Sequence, residues 1–147
     1  MKGVIYTRSG DPSVLELVER PTPEPGAGEI RIRLLVSGVN PTDWKSRSGG
    51  EVAAPTVPNH DGAGVVDELG PGVDRFGVGD RVWVTLAGAL NPASGSAQEY
   101  TVVPAERAFP LPGRTQRRRE RNVREGTHRR RRELTVAVLG WPLGHAS

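Results

Sequence analysis

The sequence predicts a mainly β fold: a small, partly open β-barrel with short helical turns. Three observations point there. Short segments alternate apolar and polar residues with a period of two, Gly and Pro recur between them at near-regular spacing, and almost no stretch shows the helical period. With 19 Gly and 13 Pro among 147 residues, long uninterrupted helices are hard to place at all.

The elements follow in order. Met1–Thr7 reads as a short strand carrying Val4, Ile5 and Tyr6, closed by a turn at Ser9-Gly10-Asp11-Pro12. Val14–Glu19 reads as a second strand, and Pro21, Pro23 and Pro25 then enforce an extended stretch that cannot donate to a ladder. Glu29–Val39 carries the clearest strand signal: Ile30, Ile32, Leu34 and Val36 alternate with Glu29, Arg31 and Arg33, as on a half-buried strand. Pro41–Arg47 is expected to form one or two helical turns, with Asn40 at the N-cap and Pro41 at the first helical position. Asp61–Leu69 is Gly-rich and then apolar, as expected where backbone passes close to backbone. Turns at Gly70-Pro71-Gly72 and Gly77–Asp80 lead to a strand within Asp80–Leu86, and Ala97–Val103 is expected to be the last strand of the barrel.

Charge divides the chain in two. Residues 1–112 hold ten Lys and Arg against fourteen Asp and Glu, a formal charge of −4, whereas residues 113–147 hold ten Arg against three Glu, a charge of +7. The second part contains Arg117-Arg118-Arg119-Glu120-Arg121 and Arg129-Arg130-Arg131-Arg132. We therefore divide the chain into a β domain over 1–112 and an Arg-rich tail over 113–147. The tail is expected either to be disordered or to arise from a frameshift in a GC-rich gene, because such codons read one base out of register yield Arg triplets. As a genuine segment it would be a basic arm able to neutralise phosphates, so non-specific contact with nucleic acid is the competing reading. No aromatic residue precedes Trp141 in the tail to stack on a base.

The chain has no cysteine, which removes disulfides, thiol nucleophiles and thiolate metal ligands and fits a cytoplasmic location. It has no apolar run long enough to span a bilayer, and Arg8, Asp11 and Glu16 interrupt any N-terminal signal pattern.

Six blocks in order then carry a resemblance: Gly10–Leu15, Pro25–Ile30, Ser37-Gly38-Val39-Asn40-Pro41-Thr42-Asp43-Trp44-Lys45, Asn59-His60-Asp61-Gly62-Ala63-Gly64-Val65-Val66, Gly72–Val82 and Glu99–Pro104. Residues 1–112 resemble the N-terminal, GroES-like domain of the medium-chain dehydrogenase/reductase superfamily, in its zinc-free quinone oxidoreductase (ζ-crystallin-like) branch. The resemblance implies hydride transfer from NADPH to a small-molecule quinone, enone or other activated carbonyl, in the cleft between this barrel and a Rossmann domain, within a homo-oligomer. It also implies that Asn40, Asp43 and Lys45 face that cleft, with Asn40 and His60 on the cofactor side.

Each of these residues has a plainer role open to it. Asn40 can cap the helical turn, Asp43 can be an early-turn helix acid, Lys45 can be solvated, and His60 can hydrogen-bond in a pocket wall. The zinc-dependent branch carries Cys where this chain has Asn40 and Gly-His-Glu where it has Asn59-His60-Asp61. A catalytic zinc takes about three protein ligands, so neither metal nor zinc alcohol dehydrogenase chemistry is expected.

No strand followed by G-x-G-x-x-G occurs; the nearest candidate, Leu134–Gly144, contains a strand-like Thr135–Gly140 without the helix that would hold a pyrophosphate. The chain is accordingly expected to be a fragment inactive by itself, marginally folded and prone to associate through uncovered apolar surface. A non-enzymatic GroES-like binding module is the remaining alternative.

Overall fold

The structure, a computed structural model, describes residues 1–112 and the backbone of 135–138. The Arg-rich stretches expected to be disordered or basic arms lie outside the described residues.

Strand β1 (Lys2–Ile5) pairs antiparallel with β2 (Glu16–Glu19). Val14 does not open β2. It lies in a 3-10 turn, Pro12–Val14, because Pro12 sits at the first helical position and the Asp11 carboxylate accepts from the Ser13 N–H at 2.9 Å. Strand β3 (Glu29–Val39) ends where helix α1 (Pro41–Ser48) begins. Strands β4 (Asp61–Leu69), β5 (Arg81–Val84), β6 (Tyr100–Pro104) and β7 (Ala108–Pro110) complete a sheet ordered β6-β3-β4-β5-β7, with every neighbour antiparallel. The order ends on β6 and β7, so the barrel is partly open. The sequence reading ended the barrel at Val103; β7 follows because the 3-10 turn Ala105–Arg107 returns the chain to the free edge of β5. A last strand, β8 (Thr135–Val138), runs parallel to Val36–Val39 of β3.

The core is the inner face of this sheet. Ile30, Ile32, Val82, Val84, Val103 and Ala108 are fully buried there, closed by Leu34, Val66 and Phe76. On the outer face Arg31 ties β3 to β4, pairing with Asp67 at 2.7 Å and Glu68 at 2.6 Å.

One strand position differs from the period-2 reading. The alternation holds through Leu34 and then slips, because the β3–β4 register shifts between Leu34 and Val36. Beyond this bulge Val36 is only partly buried, and Ser37 takes the inward position at 0% exposure. A bulge adds a residue and reverses which side chains face in. The inward serine sits in a satisfied relay: Asn59 Nδ2 donates to Ser37 Oγ at 2.9 Å, Ser37 and Ser96 hydroxyls lie 2.9 Å apart, and Ser96 Oγ donates to the Asp61 carbonyl at 2.6 Å. Since Ser96 spends its one hydrogen on Asp61, Ser37 is the donor between the two hydroxyls.

Candidate functional site

The relay ends beside helix α1, where three of the expected residues meet. Asn40 is the N-cap of α1, in extended conformation ahead of Pro41. Its backbone is closed reciprocally with Asp43: the Asn40 N–H donates to Asp43 Oδ2 at 2.6 Å, and the Asp43 N–H donates to the Asn40 carbonyl at 3.0 Å. The Asn40 side chain faces the Asp43 N–H in this capping box, and its amide nitrogen reaches further. Its Nδ2 donates to Asp61 Oδ2 at 2.6 Å, because β4 begins at Asp61 directly across from Gly38, and an ionised carboxylate is the stronger acceptor.

His60 lies between Asn59 and Asp61 on the approach to β4. Asn59 has a φ of +70°, a left-handed conformation that asparagine tolerates better than most residues. That bend, anchored by the hydrogen bond to Ser37, directs His60 into a cavity of about 110 Å³ shared with Asp43, Tyr6, Ser46 and Thr56. Two buried polar atoms are unpaired among the described residues, Asp43 Oδ1 and His60 Nδ1. Both residues line this cavity.

Lys45 is not part of this cluster. Asp43 is buried at 6% exposure, whereas Lys45 is exposed with its Nζ 5.8 Å from the ring centroid of Trp44, which is itself 51% exposed. Asp61 carries more than the sequence reading assigned to it, which compared it only with a zinc-ligand position. It also lines an apolar pocket of about 290 Å³ with Val36, Gly38, Ala63 and Trp83.

Burial drives the Asp43 carboxyl pKa above its ordinary value of 3.8, and the neighbouring Asp61 charge adds to this, against the Asn40 N–H and His60, which pull it down. A raised folded-state pKa means the folded chain holds the proton more tightly than the unfolded chain. The contribution is therefore fully present below pH 3.8 and is lost as pH rises through the folded value. Asp43→Asn keeps an acceptor for the Asn40 N–H and places a donor amide in the cavity beside His60. We expect this variant to flatten the decline in stability between about pH 4 and pH 7 and to melt no lower than wild type at pH 7. Thermal unfolding across that range checks it; a parallel pH profile in the two proteins would refute the assignment.

The donor set around Asn40 also bears on zinc. An amide N–H pointing at a carboxylate is the geometry of a hydrogen bond, not of two ligands converging on a cation, and amide nitrogen is a poor zinc donor. These residues do not fit a zinc site of the Cys-His-Glu kind. Among the described residues no helix is long and apolar enough to cross a membrane.

The partly open barrel thus gathers an amide, two carboxylates and an imidazole near one helix N-terminus. Comparison with known proteins gives the family. Residues 26–113 match the alcohol dehydrogenase GroES-like domain, and the chain belongs to that family. A dehydrogenase, orsE, from Emericella nidulans is 39% identical over 105 residues, covering 67% of this chain and 29% of that protein. A quinone oxidoreductase from Rattus norvegicus is 31% identical over 116 residues, covering 76% of this chain and 34% of its own length. Among solved structures, a mycobacterial protein in complex with NADPH superposes with a TM-score of 0.66 at 33% identity, covering 78% of this chain and 33% of that one. The chain thus spans about a third of the length of these relatives.

Proposed function

We propose that residues 1–112 form the substrate-side domain of an NADPH-dependent reductase of quinones, enones or similar activated carbonyls, working with a dinucleotide-binding partner domain in a homo-oligomer. The observation that carries this is the Asn40 amide, held through its backbone by Asp43 and through its side chain by Asp61, where a zinc-dependent relative would place a metal ligand. Reduced nicotinamide, when bound, supplies a hydride to the substrate carbon; the displaced electron pair moves to the substrate oxygen, which takes its proton from solvent. The chain's own residues have simpler tasks. Asn40 meets the nicotinamide–substrate pair, Asp43 and Asp61 fix it, and His60 closes the wall behind them. The apolar pocket beside Asp61, floored by glycine and walled by Trp83, suits a planar ring. Lys45, exposed on α1, is assigned only the steering of an anionic cofactor.

The test is Asn40→Ala in a full-length relative that carries this segment. Loss of a preorganised amide should lower kcat/KM for quinone reduction at least about tenfold, while the melting temperature changes by no more than a few degrees. Unchanged turnover would remove Asn40 from the site.

A further inference from the structure

We propose that Trp83 is a specificity-determining residue: it forms one wall of a slot on the outer face of the sheet that takes a flat conjugated ring in preference to an open-chain enone. This deepens the reductase reading given above and rests on it.

The slot follows from register. Val36 pairs with Ala63, Ala63 with Trp83, and Trp83 with Phe109, so these four residues form one row across β3, β4, β5 and β7. Directly paired residues share a face of the sheet. Val82 and Val84, on either side of Trp83, face the core, which puts the row on the outer face. Neighbouring strands lie about 4.8 Å apart, so Val36 and Trp83 are separated by roughly 10 Å. Ala63 fills that interval with a single methyl. The result is the recess of about 290 Å³ bounded by Val36, Ala63 and Trp83, with Gly38, Asp61 and Gly62 at one end.

The indole is braced before anything binds. Phe109 stacks on it with centroids 4.6 Å apart and planes inclined by 23°. The Arg75 guanidinium in turn lies 5.9 Å from the centroid of Phe109 and 5.2 Å from that of the buried Phe76. Phe109 and Ala63 flank Trp83 on opposite sides of the row, so the indole face that Phe109 leaves free turns toward the recess. Trp83 is 40% exposed, and a ligand there has indole surface left to cover. A wall already fixed loses little conformational freedom on association.

Shape and electronics name the ligand class. An interval of roughly 10 Å admits one ring plane standing on Ala63 between the two walls. The face of an indole is electron-rich, whereas a quinone ring, drained by two carbonyls, is electron-poor, so the two stack favourably. An open-chain enone offers no plane of comparable area and leaves the indole in water. Asp61, at the end of the recess, accepts from the Asn40 amide at 2.6 Å, which brings a ring lodged there alongside the residue assigned to the reacting pair.

The experiment uses the 147-residue chain labelled with ¹⁵N and two probes, 2-methyl-1,4-naphthoquinone and the open-chain enone 3-penten-2-one; the chain has no cysteine to add to either. The quinone is expected to shift the Trp83 indole N–H saturably and to leave that of Trp44 in place. It should bind about tenfold more tightly than the enone, and Trp83→Leu should remove most of that preference, the worth of one aromatic contact. Ala63→Ile keeps the indole but fills the recess, and should abolish the shift. A Trp83 signal unmoved by the quinone, equal binding of the two probes, or a folded Trp83→Leu chain that keeps the preference overturns the proposal. If the quinone moves Trp83 but not the Asn40 side-chain amide, the slot stands and the assignment of Asn40 to the reacting pair falls. If it moves Asn40 alone, that assignment stands and the slot falls.

Discussion

Gly64→Ala is expected to lower the unfolding midpoint by ten degrees or more, or to leave the chain unfolded. Gly64 lies in the middle of β4, between Leu34 of β3 and Val82 of β5. A Cβ built there would stand 2.2 Å from the Arg33 carbonyl oxygen and 2.9 Å from both the Arg33 carbonyl carbon and Ile32 Cγ2. The nearest obstacle is backbone locked in the β3–β4 ladder, so relief means moving a strand. Overpacking of this kind costs about 1–3 kcal/mol and more where the backbone is pinned; in a domain of this size each kcal/mol is worth roughly 4–8 °C. Gly49→Ala is the control. Gly49 has φ −150° and nothing within 4 Å of its built Cβ, so alanine there should be neutral or slightly stabilising. A Gly64→Ala protein that melts with wild type would show that β3 and β4 are not apposed as described.

Ile32→Ala is expected to cost about 3 kcal/mol in denaturant unfolding, within the range for an aliphatic side chain removed from a closed core. Ile32 is fully buried on β3 between Val66 and Thr101 of the flanking strands, inside the cluster completed by Val82, Val84 and Val103. Neighbouring strands prevent the cavity from collapsing. A cost under about 1 kcal/mol would place Ile32 outside the core. The two sites also test each other. Ile32 Cγ2 is one of the atoms a Cβ at position 64 would meet, yet the closest is the Arg33 carbonyl. The double variant should therefore recover little, and substantial recovery would mean that side-chain crowding, not backbone, sets the Gly64 requirement.

Much of the fold was legible in the sequence because it is encoded locally. The alternation from Glu29 marks β3 as far as Leu34, Asn40-Pro41 marks the start of α1, and the glycine pairs mark the turns around Val73–Phe76. Each depends on a few adjacent residues and on sterics that act whatever the rest of the chain does. The placing of Asn40 beside Asp43 was legible too, since both belong to one helical turn.

What the tertiary structure decided is everything that depends on register between distant strands. The bulge past Leu34 turned Ser37 inward in place of Val36, and no period within β3 announces it, because a bulge is a mismatch between two strands. The same pairing set Asp61 across from Gly38 and gave the Asn40 amide nitrogen a carboxylate partner beyond the helix it caps. Stacking of Trp83 on Phe109, with centroids 4.6 Å apart, accompanies β7, a strand too short to show periodicity of its own. Sequence marked the residues from which a site is proposed and most of the strand segments. Their relation as a site, with an amide oriented by a carboxylate 21 residues away, exists only once the sheet has closed its register, because a hydrogen bond of 2.6 Å requires two strands to agree to within a single residue.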